Sequence, residues 1–537
     1  MSIQKPELQP NWKLFTWFAA VCAAIYVVVQ VIPATADTFF KNEAAKVISK
    51  AAAEQAAVSF AEEQFKQKPT AVHAVHQSNS LLYGYLSKEK QVEAYDKKYG
   101  AKLPTDTFQV SATLPDKSHL FMYVHMETGS VVAWNQVDAV SSASPKPLEA
   151  ALTFAASQGY AADRLTVEDG AAAPGVVKLL VTGEKVKDAA LRLTIRVNQT
   201  EDGQLYISGY KPAFVVPADY ESYVNEQSKL AATISLIGSL LLSFVLFVLA
   251  IIYAALYRKH TSFVRGLLLA GVFLLFYLVN NFNMLDGIIA TFGEEPDAAV
   301  FAIVATLVTC AITAVMALSV YFSLVAGDGL WRSMGRNLWL RSKERGYGDH
   351  IWKSMWLGYL CAFILLGAQT VILMVLEKST GAWSTTDVAQ SPYNFASPLI
   401  FPLLAWCAAI SEEAVYRFFG IALMKKWFRN TFVASLIPTI IWALGHVTYP
   451  IFPATTRLFE LTLIGLLFCY LFLRFGLATV IFAHAIFDSL MMAMSLMFLG
   501  SAGNIAMGIL YILLPIPIAA LLRFWSSRRE MRTPTAS

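Results

Sequence analysis

Residues 401–426 read FPLLAWCAAISEEAVYRFFGIALMKK, and this stretch decides what kind of protein the chain is. It is apolar from about Ser397 to Leu423, apart from the adjacent carboxylates Glu412 and Glu413 and the cation Arg417. Ionised side chains at membrane depth are costly unless they face a polar cavity, so they are rare and usually functional. The stretch therefore predicts a membrane helix that contributes to a reaction centre inside the bilayer.

The composition of the whole chain supports a membrane location. Of its 537 residues, 56% are hydrophobic and only 15% are charged, and the mean hydropathy is +0.50. These values are too apolar for a soluble protein. The net charge of +4 comes from basic residues in short loops between apolar runs, and no nucleic-acid-binding motif is present. All five cysteines lie in apolar segments, so no disulfide framework is predicted.

Apolar runs of about 20 residues, the length that crosses a bilayer as a helix, predict a polytopic α-helical membrane protein with about ten transmembrane helices. The predicted spans are 14–33, 230–257, 263–283, 299–325, 354–376, 398–423, 432–449, 457–474, 477–498 and 504–523. Basic loops flank alternate spans, and the positive-inside rule assigns them to the cytoplasm. Both termini are then cytoplasmic, and an α+β domain inserted between the first two helices is extracytoplasmic.

These spans divide the chain into five predicted parts. Residues 1–36 form an N-terminal membrane anchor; Lys5 and Lys13 before its apolar core and Ala34-Thr35-Ala36 after it also imitate a cleaved signal peptide. The anchor is favoured because its apolar run is longer than that of a usual signal peptide. The other parts are the extracytoplasmic domain 37–228, the helices and basic loop of 229–349, the membrane domain 350–525 and the cytoplasmic tail 526–537.

The inserted domain has a coarse internal repeat that predicts two tandem α+β units. Each unit has a helical segment, 42–66 or 147–158, followed by three β-like runs. The runs are 108–114, 120–125 and 130–134, then 176–182, 190–197 and 204–210. This layout, with the turn at Thr128-Gly129, weakly resembles PepSY-type modules, which would carry no catalytic residues. The alternative is a generic adhesion or sensing domain, and either implies a partner outside the membrane.

The charged cluster in the opening stretch divides by helical geometry. Glu413 and Arg417 are four residues apart and share a helix face, whereas Glu412 projects about 100° away. We expect Glu413 and Arg417 to form a structural ion pair that tunes Glu412. The alternative is that the cluster sits at a helix end and snorkels to water beside Lys425 and Lys426.

Two of the eight histidines lie within apolar spans, and each has a polar or aromatic companion four residues away. Trp442 precedes His446, and Asp488 follows His484 on the same helical face. Unpaired polar groups in hydrocarbon are costly, so three polar clusters in one bundle are expected to converge. One discrepancy remains: His446 lies about 9 Å beyond the midpoint of its predicted span, which requires either a kink at Pro438 or a span that starts later.

Over residues 350–525 the chain resembles the CPBP intramembrane proteases, which include the CAAX prenyl endopeptidases and the abortive-infection proteins. The resemblance rests on three ordered motifs, each inside an apolar span: Glu-Glu-x-x-x-Arg, aromatic-x-x-x-His and His-x-x-x-Asp/Asn. The residues that match them are Glu412, Glu413 and Arg417, then Trp442 and His446, then His484 and Asp488.

The resemblance implies glutamate-dependent hydrolysis of a peptide bond. Glu412 would act as general base on water, helped by neutral His446. His484 and Asp488 would stabilise the developing oxyanion. The chain departs from the Asn version of the third motif, and because an Asp donates only when protonated, Asp488 would instead orient His484.

The same side chains also suit a metal. His446 and His484 with Glu412 or Asp488 would make a zinc site with an open position for water. No His-Glu-x-x-His motif is present in the sequence, so a metal-free reaction is favoured and zinc is the alternative cofactor.

The expected partners are a membrane-associated peptide or protein substrate, membrane lipids and an external ligand of residues 37–228, with no nucleic acid. A bacterial substrate is favoured over a prenylated eukaryotic one. A different class of function stays open: a transporter or a non-proteolytic scaffold could use the same buried polar pocket.

Overall fold

The computed structural model describes residues 8–33, 35, 47–139, 142–144, 146–168, 173–200 and 202–532. Ala34 and Ala36 of the signal-peptidase-like sequence therefore lie outside the described residues. So do residues 37–46, where the predicted inserted domain begins, and residues 533–537 of the predicted tail. Those predictions are untested.

Residues 47–215, called the sheet domain below, form one antiparallel sheet with helices packed on it. Its strands run in the order β1-β2-β3-β4-β9-β8-β7-β6, and β5 pairs with β8. The strands are β1 (Ala71–Ser78), β2 (Asp106–Thr113), β3 (His119–His125), β4 (Val131–Val137), β5 (Ser142–Ala143), β6 (Leu165–Val167), β7 (Val176–Val186), β8 (Ala189–Gln199) and β9 (Leu205–Val215). The helices are α1 (Trp12–Tyr26), which precedes the domain, and α2 (Lys50–Gln64), α3 (Ser80–Lys88), α4 (Val92–Tyr99) and α5 (Pro147–Ser157) within it.

The sheet has two similar halves that meet where β4 pairs with β9. At this junction Trp134 of β4 lies opposite Tyr210 of β9. Each half follows a helix, α2 or α5, and contains a three-stranded meander. In α2, the buried residues Ala53, Ala57 and Ala61 recur every four positions, so one smooth stripe lets the helix approach the sheet closely. All six strands expected from the sequence are present, and β1 and β6 add a fourth strand to each half.

The remaining helices form a bundle that is apolar enough for a membrane. They are α6 (Ala218–Ile234), α7 (Leu242–Leu256), α8 (Leu267–Asn283), α9 (Leu285–Thr291), α10 (Ala298–Ser333), α11 (Tyr347–Thr380), α12 (Leu403–Glu412), α13 (Ile421–Phe428), α14 (Thr431–Leu444), α15 (Thr455–Phe475), α16 (Leu477–Met497), α17 (Ala502–Leu513) and α18 (Pro515–Arg532). In the described part of the chain, seven helical segments are long and apolar enough to span a bilayer, or nine if each bent pair is one span.

The predicted total of ten spans is not confirmed. The difference lies at predicted span 432–449, where α14 has only 14 residues, fewer than a membrane crossing needs. The first span is part of the bundle: α1 packs against α11, where a Cβ on Gly367 would lie 2.5 Å from the Cβ of Cys22. Only a glycine permits this approach of the two helices.

The sheet domain is joined to the helix bundle by polar contacts. The backbone N–H of His76 in β1 donates to the side chain of Asn394 (2.7 Å), whose amide donates back to the His76 carbonyl (2.9 Å). Asn394 is fully buried. At a second contact, Asp286 in α9 accepts from Lys50 at 2.5 Å and lies 3.0 Å from the His73 ring. The two units therefore share an interface rather than a free linker.

A two-residue ladder ties two loops of the bundle to this interface. Strands β10 (Trp383–Ser384) and β11 (Ile451–Phe452) pair antiparallel. Trp383 also packs against Tyr220 at the start of α6, with ring centroids 6.2 Å apart. The ladder thus joins the loop before α12 to the loop after α14, beside the sheet domain.

Asp106 in β2 provides a pH-dependent test of the strand pair that meets the bundle, because it lies 3.2 Å from the ring of His76 in β1. Burial would raise the pKa of the Asp106 carboxyl, but His76 and neighbouring hydroxyls hold that pKa below its ordinary value of 3.8. Such a group adds stability that is complete above the ordinary value and lost as the pH falls through the lowered one. Asp106→Asn should lower the melting temperature at neutral pH, and its difference from wild type should shrink below pH 3.8. A loss equal at every pH would contradict this.

Candidate active site

The Glu-Glu-x-x-x-Arg motif begins where the helix changes type. Helix α12 ends at Glu412, and Glu413–Gly420 forms a π-helical segment before α13. π-Helical turns are rare and often found at functional sites. Nη1 of Arg417 lies 3.3 Å from Oε1 of Glu413, and both side chains are fully buried. The predicted ion pair is therefore present, and it lies in the interior rather than at a solvated helix end.

His446 lies two residues beyond the end of α14 and close to Glu412. The helix begins after Asn430, whose side chain caps it by accepting from the N–H groups of Phe432 and Val433, and it ends at Leu444. The prediction of a span from 432 to 449 was wrong: the helix begins at Thr431, not later than predicted, and ends five residues early. The 9 Å offset was measured from the midpoint of that span and no longer applies. Nε2 of His446 lies 3.6 Å from Oε1 of Glu412.

Trp442 fixes both members of this pair. Its indole N–H donates a short hydrogen bond to Oε2 of Glu412. Its backbone carbonyl lies 2.9 Å from Nδ1 of His446, which places a proton on Nδ1. Oε1 of Glu412 and Nε2 of His446 are then the atoms left to face each other.

His484 in α16 completes the cluster. Its Nδ1 lies 2.8 Å from Oε1 of Glu413. Its Nε2 lies 3.4 Å from Asp488 and 3.8 Å from Oε2 of Glu412. As their four-residue spacing predicted, His484 and Asp488 lie on one helix face. The three motifs thus converge on one cluster of side chains.

Aromatic rings enclose the buried side of the cluster. The ring of Phe468, in α15, stacks on His484 with centroids 4.6 Å apart. The Arg417 guanidinium lies 4.1 Å from the ring centre of Trp442 and 5.3 Å from that of Phe468. None of its three nitrogens has a hydrogen-bond partner among the described residues. Cation–π contacts and Glu413 are therefore what offset its charge.

The cluster has a buried side and an open side. The side chains of His446, Glu412 and Asp488 are 21%, 18% and 15% exposed. Those of His484 and Glu413 are 5% and 0% exposed. A reactant can therefore reach Glu412 and His446, whereas Glu413 acts only through its neighbours.

The structure adds contacts that sequence reasoning missed. Glu413, rather than Asp488, holds the Nδ1 side of His484. The ring of Tyr449 stacks on His446 with centroids 5.8 Å apart and an angle of 17° between planes. Helical spacing reveals neighbours within one helix, and neither contact is of that kind. Phe468 likewise carries no chemical signal in the sequence.

The zinc alternative depends on where the donor atoms of the cluster lie. Among residues 8–532, as far as they are described, no group of three or more His, Cys, Asp or Glu side chains is placed to hold a metal ion. His484 directs Nδ1 to Glu413, and His446 directs Nδ1 to a carbonyl, so Nε2 of each histidine faces Glu412. Such contacts are also made by metal-bound histidines. The metal-free reaction therefore stays a prediction, and no step below uses a metal.

Comparison with known proteins supports the class to which this site belongs. Residues 394–490, which include all three motifs, match the family model for type II CAAX prenyl endopeptidase Rce1-like proteins. The resemblance to these membrane proteases is thereby confirmed for the C-terminal region.

A curated relative extends the similarity beyond that region. The sporulation-killing factor biosynthesis protein SkfC of Bacillus subtilis (strain 168) is 23% identical over 328 residues. The alignment covers 58% of this chain and 60% of the relative, so less than two thirds of the relative's length is matched. No solved structure shows a significant match.

Proposed function

We propose that the chain is an intramembrane, glutamate-dependent endopeptidase that hydrolyses a peptide bond in a membrane-associated peptide or protein. The observation that carries the proposal is the pairing of Glu412 with His446 on the open side of a buried polar cluster. Their facing atoms are 3.6 Å apart. The match to a peptidase family over residues 394–490 supports the same class of reaction.

The gap between Glu412 and His446 suits a bound water. A separation of 3.6 Å is too long for a direct hydrogen bond, and a polar contact of this length is often bridged by water. Water would donate one proton to Oε1 of Glu412 and the other to the lone pair of Nε2 of His446. Its oxygen would then point outward, toward the carbonyl carbon of a substrate.

The reaction then proceeds by general base catalysis. Glu412 takes a proton from water as the oxygen bonds to the scissile carbonyl carbon, and the carbonyl becomes an oxyanion. When the tetrahedral intermediate collapses, the C–N bond breaks and Glu412 returns the proton to the leaving nitrogen. The products are a new carboxyl terminus and a new amino terminus.

His484 is the proposed donor to the oxyanion. Glu413 accepts from Nδ1, so an imidazolium His484 keeps Nε2–H for the substrate oxygen. Before the substrate arrives, the Nε2–H group of His484 points to the carboxylate of Asp488, 3.4 Å away. Donors fixed in advance cost no reorganisation during reaction, and this is a main source of catalysis.

The setting of the reaction is a multi-pass membrane protein. The proposed orientation places both termini in the cytoplasm and the sheet domain outside. No cofactor enters the proposed reaction. The proposed substrates are bacterial peptides or membrane proteins, and lipids and an external ligand of the sheet domain are the further proposed partners.

The direct test compares protein termini in membranes of cells that carry the wild-type chain or Glu412→Gln. We expect at least one membrane-associated peptide to have a new terminus only when Glu412 is intact. If the two sets of termini are the same and Glu412→Gln still complements a deletion strain, a scaffold is the better account. Gradient-dependent uptake of a solute by proteoliposomes would instead indicate a transporter.

Trp442→Phe should lower kcat by about 10- to 100-fold, because Glu412 loses the hydrogen bond that holds Oε2, worth roughly 1.5–3 kcal/mol for a charged acceptor. The ring face that Arg417 contacts is largely retained. Trp406→Phe is the matched control, because the N–H of this buried indole has no partner among the described residues. Equal losses from both substitutions would show a general packing effect, not a role for the bond to Glu412.

A further inference from the structure

A cavity of about 340 Å³ lies where the sheet domain meets the loop that follows His446. One wall is the start of α3, with Ser80 and Leu81, and another is α6, with Tyr220 and Val224. The third wall is residues 447–454, called the strap below. The volume is in the range of sites that bind small ligands or a few side chains.

The strap connects this cavity to the proposed site. It begins at the residue after His446, and Tyr449 within it both lines the cavity and stacks on the His446 ring. His446 in turn lies 3.6 Å from Glu412. A single aromatic ring is therefore shared by the cavity and the group that would hold the attacking water.

The lining of the cavity defines what it can accept. None of its fourteen lining residues is charged, and six of them carry hydroxyl groups: Ser80, Tyr220, Ser228, Thr385, Thr448 and Tyr449. Arg457 lies over the Tyr449 ring at 5.1 Å, but Glu460 pairs with it at 2.6 Å. A charged ligand would lose its hydration without gaining a partner, which is costly. Apolar groups that carry a few hydrogen-bonding atoms fit best.

The strap is held in place before any ligand binds. The Pro450 carbonyl accepts from the N–H of Thr385 (2.9 Å), and the side chain of Gln227 accepts from the N–H of Ala454 (2.9 Å). Strand β11 of the strap pairs with β10. A pre-formed site spends little free energy on ordering when it binds.

We infer that this cavity binds the segment of the substrate peptide next to the scissile bond and selects an uncharged, largely apolar sequence there. The inference rests on the proposed function. A peptide is favoured over a lipid because two walls belong to the sheet domain and α6, and the third continues into His446. An occupant that bridges them would be aligned with Glu412, as cleavage of a defined bond requires.

Photocrosslinking tests the occupant without needing cleavage. Benzoylphenylalanine is placed at Val224 in the full-length Glu412→Gln chain in cells, with Val167, an exposed residue of β6, as the matched control position. We expect a peptide adduct at Val224 and none at Val167. The crosslinked peptide should come from a substrate that has a Glu412-dependent terminus, and the crosslinked position should lie next to that terminus. An adduct with phospholipid only, or none above the control, would overturn the inference.

Kinetics of the same peptide provide the second readout. Val224→Trp narrows the cavity and should raise KM by about tenfold with kcat nearly unchanged, because it removes binding that the ground and transition states share. Val167→Trp should change neither constant. Cleavage with an unchanged KM for Val224→Trp would overturn the cavity assignment and leave the proposed function standing. A crosslinked peptide without any Glu412-dependent terminus would overturn the proposed function, and the inference with it.

Discussion

Replacing Glu412 with glutamine is expected to lower kcat for peptide cleavage by about 10²- to 10⁴-fold, the usual contribution of a general base. The amide cannot take the proton from water, but its oxygen can still accept the indole N–H of Trp442. The fold should therefore be retained. The measurement is kcat and KM of purified full-length protein on the peptide identified by its Glu412-dependent terminus, together with the melting temperature.

Glu93→Gln is the matched control for this result, since the same chemical change is made on an exposed helix of the sheet domain. It should leave both constants unchanged. A general base contributes about 10²- to 10⁴-fold. If Glu412→Gln keeps more than about a tenth of the wild-type kcat, the loss is smaller than this contribution and Glu412 is not the base. A lower melting temperature with normal kcat would assign it a structural role.

Replacing Arg417 with methionine is expected to cost about 3–5 kcal/mol of stability, the usual result of breaking a buried ion pair. Both members of the pair are fully buried, so Glu413 would be left with only His484 as a close partner. Methionine approximates the stem but removes the guanidinium over Trp442. The measurement is the free energy of unfolding in a denaturing-detergent titration.

The double variant Glu413→Gln with Arg417→Met separates charge from packing. It should recover part of the lost stability, because no uncompensated carboxylate is left and Gln can still accept from Nδ1 of His484. Arg258→Met, at an exposed arginine, should be nearly neutral. If the losses in free energy of unfolding of the two single variants simply add in the double variant, the ion pair contributes little and the packing of Arg417 dominates.

The convergence of the three motifs could be predicted, because helical spacing fixes which side chains share a face. Spacing paired Glu413 with Arg417 and His484 with Asp488, and the cost of unpaired polar groups in hydrocarbon required the clusters to meet. The end of α14 could not be predicted, because Val447 and Tyr449 continue the apolar run after the helix has stopped. There the loop is held by tertiary contacts, which hydropathy does not report.

The same limit applies to the sheet domain and to Glu413. Alternating apolar residues identified six strands, but the joining of both halves through Trp134 and Tyr210 depends on pairing between distant parts of the chain. The hydrogen bond from Nδ1 of His484 to Glu413 likewise joins residues 71 positions apart in the chain. Sequence spacing within one helix contains no information about either contact.

The β10–β11 ladder has a consequence for how the proposed catalytic pair is controlled. Glu412 ends α12 and His446 follows the end of α14, and the loop before α12 pairs with the loop after α14 at Ser384 and Ile451. Trp383 of this ladder also contacts Tyr220 beside the sheet domain. A displacement of the sheet domain would therefore act on the loops next to both members of the pair.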